Sequence, residues 1–474
     1  MLKRILTTIL VLTILPAVLN AAAIYQNDNQ SAESIRSLNR FASTEVDAAY
    51  FNPAGLAFMK NDGLYLYISD QFIFQERKIT DNSISARTYY GAGNPVKFDS
   101  LMSTYSYPDL YAVWKQQNLA FYAHACFLGA GAYADYKDGS TSFNGLALQY
   151  ALSMMNPTSA SDIIVNPANY SAKTSLNAYM VMIGTTVGAS YRATSMVSFA
   201  GGIRYVYGVQ DKDFSIKYNR VGSLNTTTST ATDYTGNALF NDTRIRTVAD
   251  GHACGFIGSV DVKPAEALLF AVKYEYYTPL TLENNSPKKS SGTMTYTPFL
   301  SAFQKGYKTK TPLPMSTTLG ASYMITSDLK TDLSFSYYFN RLADWGKGEQ
   351  GTVIAGKKIN DYIDNSWAVG LAFEYAFLPN LKASLGSTYS RSGLNKKVRS
   401  DLNYSPDVVA VATGFTYGFS EYIDFTFGFM SCFFQDEKGT NFATNLGDPT
   451  ANNQELTIPY TISFAFGLTY RIAM

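Results

Sequence analysis

Tyr460-Thr-Ile-Ser-Phe-Ala-Phe-Gly-Leu-Thr-Tyr-Arg-Ile-Ala-Met474 is the stretch that decides the fold. Tyr460, Ile462, Phe464, Phe466, Leu468, Tyr470, Ile472 and Met474 alternate with Thr461, Ser463, Ala465, Gly467, Thr469, Arg471 and Ala473. A period of two means a β-strand lying between two different environments. One face is apolar and aromatic, the other small and polar. Lipid outside and a lumen inside would require this split.

Working outward, the same split recurs. Ile423, Phe425, Phe427 and Phe429 oppose Asp424, Thr426 and Gly428. Trp367, Val369, Leu371, Phe373, Tyr375 and Phe377 oppose Ala368, Gly370, Ala372, Glu374 and Ala376. Val197, Phe199, Ile203, Tyr205 and Tyr207 oppose Ser198, Gly202, Arg204 and Gly208. The reading gives about fourteen strands, near 64–78, 104–115, 118–134, 178–193, 196–210, 250–263, 266–280, 312–326, 328–341, 364–377, 380–391, 406–419, 421–435 and 457–473. The connections alternate between short turns and long loops, as in outer-membrane barrels. The fold class is therefore all-β, a transmembrane antiparallel β-barrel spanning residues 61–474. Short turns on the periplasmic side put both termini there. A charge facing lipid at midplane costs roughly 2–4 kcal/mol for a base. Arg204, Lys273, Lys330, Asp332, Glu374, Lys382 and Asp424 are accordingly expected to point inward.

Composition agrees. The chain holds 36 Tyr and 30 Phe, and its formal charge of +1 gives no electrostatic footprint for nucleic acid. Three cysteines in an exported chain cannot build a disulfide framework. Lys3-Arg4, the apolar run from Ile5 to Leu15 and Ala21-Ala22-Ala23 read as a signal peptide over residues 1–23.

Residues 24–60 precede the strands and differ from them in character. Small residues dominate Phe41-Ala-Ser-Thr-Glu-Val-Asp-Ala-Ala-Tyr-Phe-Asn-Pro-Ala-Gly-Leu-Ala-Phe58, and Asn52, Pro53, Ala54 and Gly55 form a turn signal. This segment resembles the Asn-Pro-Ala segment of the FadL/TodX-type outer-membrane long-chain fatty-acid transporters. The stretches Thr311–Tyr323, Asp328–Tyr337 and Ser366–Tyr375 are similar to that family's middle and later strands. The resemblance implies that residues 24–60 are a hatch, or plug, inside the barrel. It also implies capture of a hydrophobic molecule by outer loops and sideways exit through a kink in the third strand. Here that strand carries Gly129 and Gly131, which mark either a bend or close packing against the plug.

Two outer loops contain apolar segments that a solvated loop does not need. One holds Phe143, Leu146, Leu148, Leu152, Met154 and Met155; the other holds Met294, Tyr296, Phe299, Leu300 and Phe303. Together they are candidate ligand-binding surfaces. Singly, each residue is more simply read as packing to close the barrel mouth. A carboxylate headgroup needs a base, and Arg204 is the first candidate, ahead of Lys273 and Lys330.

Other motifs fail. His124-Ala-Cys126 faces inward and His252-Ala-Cys254 outward, so they form no shared site, and no metal or cofactor is expected. Gly351–Lys358 imitates a phosphate loop but lacks the closing Ser or Thr. No catalytic motif is present, and the chain is not expected to be an enzyme. The expected partners are a fatty acid or other lipophile, outer-membrane lipids and the barrel-insertion machinery, with a monomeric barrel. An adhesin whose loops bind other molecules, or a lipase-type barrel, are the competing classes.

Overall fold

The computed structural model describes residues 31–81, 96–128, 132–140, 143–144, 147, 170–225, 230–233, 242–291, 303–345, 353–354, 357–358, 363–395, 405–435, 437–438 and 454–473. Fourteen strands form the wall: β1 (Gly63–Asp81), β2 (Val96–Thr104 and Pro108–Gln116), β3 (Leu119–Phe127 and Ala132–Tyr136), β4 (Tyr170–Arg192), β5 (Val197–Asn225), β6 (Thr243–Ala265) and β7 (Leu268–Tyr277 and Thr281–Ser291). They continue as β8 (Lys308–Lys310 and Ser316–Met324), β9 (Leu329–Tyr338), β10 (Ser366–Leu378), β11 (Leu381–Arg391), β12 (Val408–Gly418), β13 (Ile423–Phe434) and β14 (Gln454–Ile472). Each pairs antiparallel with its neighbour, and β1 closes the ring on β14 from Leu64↔Ile472 to Asp81↔Gln454.

The alternation read from the sequence is the alternation of the wall. Leu468 is 45% exposed on the outer face, whereas Ser463 and Ala465 are fully buried. Val369, Leu371, Phe373 and Tyr375 face out, and Gly370 and Ala372 face in. An apolar belt of this extent exceeds anything a water-soluble surface carries. A closed sheet with such a belt leaves no unpaired edge in lipid, so the chain is a transmembrane barrel. Asp424 has the inward parity of buried Thr426, but it is exposed near the short turn between β12 and β13 rather than enclosed.

Four strands run further than expected. Residues 211–225 and 281–291 continue β5 and β7 where loops were expected, and β4 and β6 start earlier, at Tyr170 and Thr243. The reason lies in a chemical inversion along β5. Up to Val209 the outward residues are apolar; beyond it they are Asp211 and Asp213, bonded to Arg246 and Arg244. Inward, Phe214 and Ile216 are buried. The strand has left the lipid and become a water-soluble wall with an apolar interior. Its apolar face has switched sides, so a lipid-facing stripe stops at this point while the strand does not.

The N-terminal segment begins with α1 (Ala32–Ser37), where the Ser31 side chain accepts from the Ser34 N–H and Leu38 ends the helix in the left-handed region. Helix α2 (Ala48–Phe51) and a 3₁₀ turn (Pro53–Phe58) follow. Its partners are inward-facing residues from β1 round to β13. Ala32 N–H donates to Ser69 of β1 at 2.8 Å, Asn39 accepts from Ser334 of β9, and Thr426 of β13 donates to Glu33 at 2.7 Å. At the Asn-Pro-Ala turn, Ala54 N–H donates to Ser259 at 2.8 Å while its carbonyl accepts from Ser198 at 2.9 Å.

Inward glycines set how closely this segment sits. A Cβ at Gly386 would lie 1.8 Å from the Ser37 carbonyl oxygen, and one at Gly370 would lie 1.9 Å from Asn39 Oδ1. Gly320, Gly414 and Gly428 meet Phe41 and Arg36 in the same way. Close approach of the segment explains these glycines, by its backbone at Gly386, Gly320 and Gly428 and by the Asn39 and Arg36 side chains at Gly370 and Gly414.

Candidate functional site

Three layers of inward-facing residues run along the barrel. The first joins the N-terminal segment to the wall by charge. Arg36 donates to Glu374 at 2.5 Å and pairs with Glu33 at 2.7 Å. Arg40 bonds Asp47 at 2.6 Å and also pairs with Glu45, which Lys382 holds from β11. Lys330 is shared between Asp332 at 3.2 Å and Glu374 at 3.5 Å. Lys330, one of the two headgroup candidates ranked behind Arg204, is therefore already neutralised by the wall.

Burial pushes the Glu33 carboxyl up, as does Glu45. Arg36 and Arg40, with Lys382, outweigh this and hold it below the usual carboxylate range. A depressed carboxylate contributes stability that is full above its unfolded value, about 4.3, and is lost as pH falls through the folded one. Acidification below about pH 4 should therefore loosen the segment, read as a rise in ion conductance of barrels in planar bilayers. Glu33→Gln should show part of that rise at neutral pH. Conductance flat from neutral pH to pH 3 would contradict this ionic anchoring.

The second layer surrounds Arg204, which is fully buried. Its Nε donates to Thr186 at 2.8 Å and its Nη1 to the Tyr277 hydroxyl at 2.5 Å, with Glu275 at 3.4 Å. Lys273 donates to Glu275 at 2.9 Å and to the Tyr50 carbonyl at 2.9 Å. Tyr50 of α2 lies under both cations, 5.0 Å from the Arg204 guanidinium and 4.8 Å from the Lys273 ammonium. The wall thus supplies its own carboxylate to these two headgroup candidates. The second guanidinium nitrogen, Nη2, remains buried without a hydrogen-bond partner.

The third layer is an apolar cluster near the long-loop end, built from Ile79, Phe98, Leu176, Phe214, Ile216 and Ile245 together with loop residues Phe143 and Phe303. Phe143 packs against Phe214 with ring centroids 4.7 Å apart, and Phe303 lies 6.3 Å from the same ring. Two loops far apart in sequence therefore meet on one strand residue. Both loop phenylalanines are buried in this cluster. Leu146, Leu148, Leu152, Met154, Met155, Met294, Tyr296, Phe299 and Leu300 lie outside the described residues, as do Gly129, Gly131 and residues 1–30.

Lys212 sits in this third layer and was not singled out from the sequence. It is 1% exposed, and its ammonium lies 5.6 Å from the centre of the Phe303 ring. It makes no ion pair among the described residues. It lies beyond the apolar belt, level with the Asp211–Arg246 and Asp213–Arg244 pairs that mark water outside. Burial pushes the ammonium down to about 8. The available signal was a lysine on the inward parity of β5 beside Phe214 and Ile216. That signal is readable only once the strand is known to continue past residue 210.

No family model matches the sequence, and no curated protein matches it. Solved structures do. A Pseudomonas aeruginosa FadL homologue is 12% identical, with 95% of this chain and 99% of that one covered and a TM-score of 0.62. The P. putida toluene transporter TodX is 12% identical over 91% of this chain and 95% of its own, with a TM-score of 0.56. The CymD monoaromatic hydrocarbon channel is 10% identical over 96% and 99%, with a TM-score of 0.53. The chain shares the fold of these proteins along nearly its whole length.

Proposed function

We propose that this barrel takes up hydrophobic small molecules across the outer membrane, and that a carboxylate-bearing lipid is its preferred substrate. The observation that carries the reading is the apolar cluster at the long-loop end with Lys212 buried inside it. An acyl chain gains about 0.8 kcal/mol for each methylene that leaves water, so an apolar mouth is where it would first be held. A buried ammonium without a counter-ion is costly, and a ligand carboxylate would remove that cost. Lys212 then takes the headgroup first, with the buried Nη2 of Arg204 as a deeper stop. The short-turn end, and with it both termini, faces the periplasm, and residues 24–60 act as a plug between mouth and periplasm. Cells expressing the barrel should accumulate labelled oleate faster than cells with an empty vector. Equal rates, with the barrel shown to be in the outer membrane, would reject uptake of this class.

Exit is proposed to be sideways. Gly129 and Gly131 lie outside the described residues, but beside them β2 is interrupted at residues 105–107. Carrying an acyl chain onward through water would forfeit the burial just gained. Replacing Gly129 and Gly131 with Val favours regular pairing with the neighbouring strand, since β-branched residues suit a pleated ladder. Uptake of labelled oleate should fall several-fold while binding in detergent persists. Undiminished uptake by the double variant at equal expression would favour a straight path to the periplasm.

A further inference from the structure

The last rung that this part of β2 shares with β3, next to the interruption of β2 at residues 105–107, is Asp109↔Cys126. His124 lies two residues before Cys126 on the same inward face. The side chains of Asp109, His124 and Cys126 each bring one ligand atom to within 4.8 Å of the others, and all three are buried. Asp109 Oδ1 is 2.8 Å from His124 Nε2. A hydrogen-bonded Asp–His pair alone would leave less unexplained. The buried hydroxyl of Tyr107, two residues before Asp109, has no hydrogen-bond partner. Orphaned polar atoms of this kind are uncommon in a protein interior and call for a bound group.

We propose that Asp109, His124 and Cys126 bind one divalent transition-metal ion of the zinc class, with water or the Tyr107 hydroxyl completing the coordination. One sulfur, one nitrogen and one oxygen suit a borderline-soft, tetrahedral ion and disfavour calcium and magnesium, which take oxygen ligands. Charge also balances. Binding releases the thiol proton, and the thiolate and carboxylate together cancel the two positive charges in a buried site. Bonds of about 2.0–2.3 Å place the ligand atoms of a tetrahedron about 3.3–3.5 Å apart. The Asp–His contact must therefore open by roughly half an ångström and the sulfur move in, both within reach of side-chain rotation.

The position gives the ion a role. It would lock this β2–β3 rung next to the interruption of β2. It would also fix the His124 ring, which packs against Tyr111 at 4.3 Å and against Tyr50 of the N-terminal segment at 5.3 Å. This inference is independent of what the barrel transports. The sequence reading expected no metal because the two His-Ala-Cys pairs face opposite ways. Their opposition stands, since His252 and Cys254 are exposed on the outer face. The missing third ligand came from the neighbouring strand instead.

The test uses the full barrel in detergent, stripped with chelator and titrated with cobalt(II). We expect one cobalt per barrel with a thiolate-to-cobalt charge-transfer band, and displacement of the cobalt by zinc. Cys126→Ser should abolish the band and His124→Ala should weaken binding at least tenfold, whereas Cys254→Ser and His252→Ala should change neither. Heat-modified gel mobility establishes that each variant is folded. The wild-type stoichiometry decides the question even where a variant fails to fold. A folded wild-type barrel that takes up no cobalt overturns the proposal, as does a band that survives in folded Cys126→Ser. The three residues would then be a buried Asp–His pair beside an inert thiol.

Discussion

Replacing Gly386 with Val should raise the ion conductance of the barrel several-fold. The new Cβ would stand 1.8 Å from the Ser37 carbonyl oxygen, a separation no pair of non-bonded atoms tolerates. The contact is with backbone on the segment side, so no rotamer change relieves it. Strand β11 is held by two full ladders, with β10 and β12, while the segment is held by side chains and short helices. The weaker partner should move. Valine also favours the strand conformation, so the wall itself is not harmed. Deleting residues 24–60 should open the same path and leave a folded, heat-modifiable barrel. Agreement between the two variants would establish that the segment obstructs the lumen. Wild-type conductance in both would show that it does not, and the plug reading would fall.

Lys212→Met should separate two ligand classes. Binding of oleate should weaken roughly ten- to a hundredfold, the value of a charge-assisted hydrogen bond of about 1.5–3 kcal/mol. Binding of a hydrocarbon without a headgroup, such as toluene, should be unchanged or tighter, because methionine fills similar space and costs no charge burial. The wild type should show the same split with pH. The ammonium, pushed down to about 8, is charged below that pH and neutral above it. Bound carboxylate favours the charged form, so oleate affinity should fall as pH rises through and beyond 8, while toluene affinity stays level. A parallel loss for both ligands, in the variant or with pH, would mean that Lys212 only supports packing around Phe303. Arg204→Ala is the comparison. With Glu275 already beside it, Arg204 should contribute less to selectivity, and its removal should perturb the Tyr50 and Tyr277 packing.

The wall was legible in the sequence for a local reason. Lipid faces one side of each strand at every second residue, so Tyr460–Met474 and its counterparts carry their environment in their own alternation. Strand number, inward parity and the placement of His252 and Cys254 outside all follow from it. The reading stopped where lipid stops. Beyond Val209 the apolar face of β5 turns inward, and a rule built on the lipid stripe ended the strand there.

Contents of the lumen were not legible, because the inward face has no periodic rule of its own. What stands at an inward position depends on what the closed ring brings opposite it. Gly386 and Gly370 read only as small residues until Ser37 and Asn39, more than 300 positions earlier, lie against them. Lys212 read as one charge in a loop until Phe143 and Phe303 closed over it. Asp109 was an ordinary strand carboxylate until pairing with β3 set it beside His124 and Cys126. The sequence by itself determined a fourteen-stranded membrane barrel, because each strand meets lipid independently of the others. Only the tertiary structure decided which inward residues share a site, because closing the ring is what makes them neighbours.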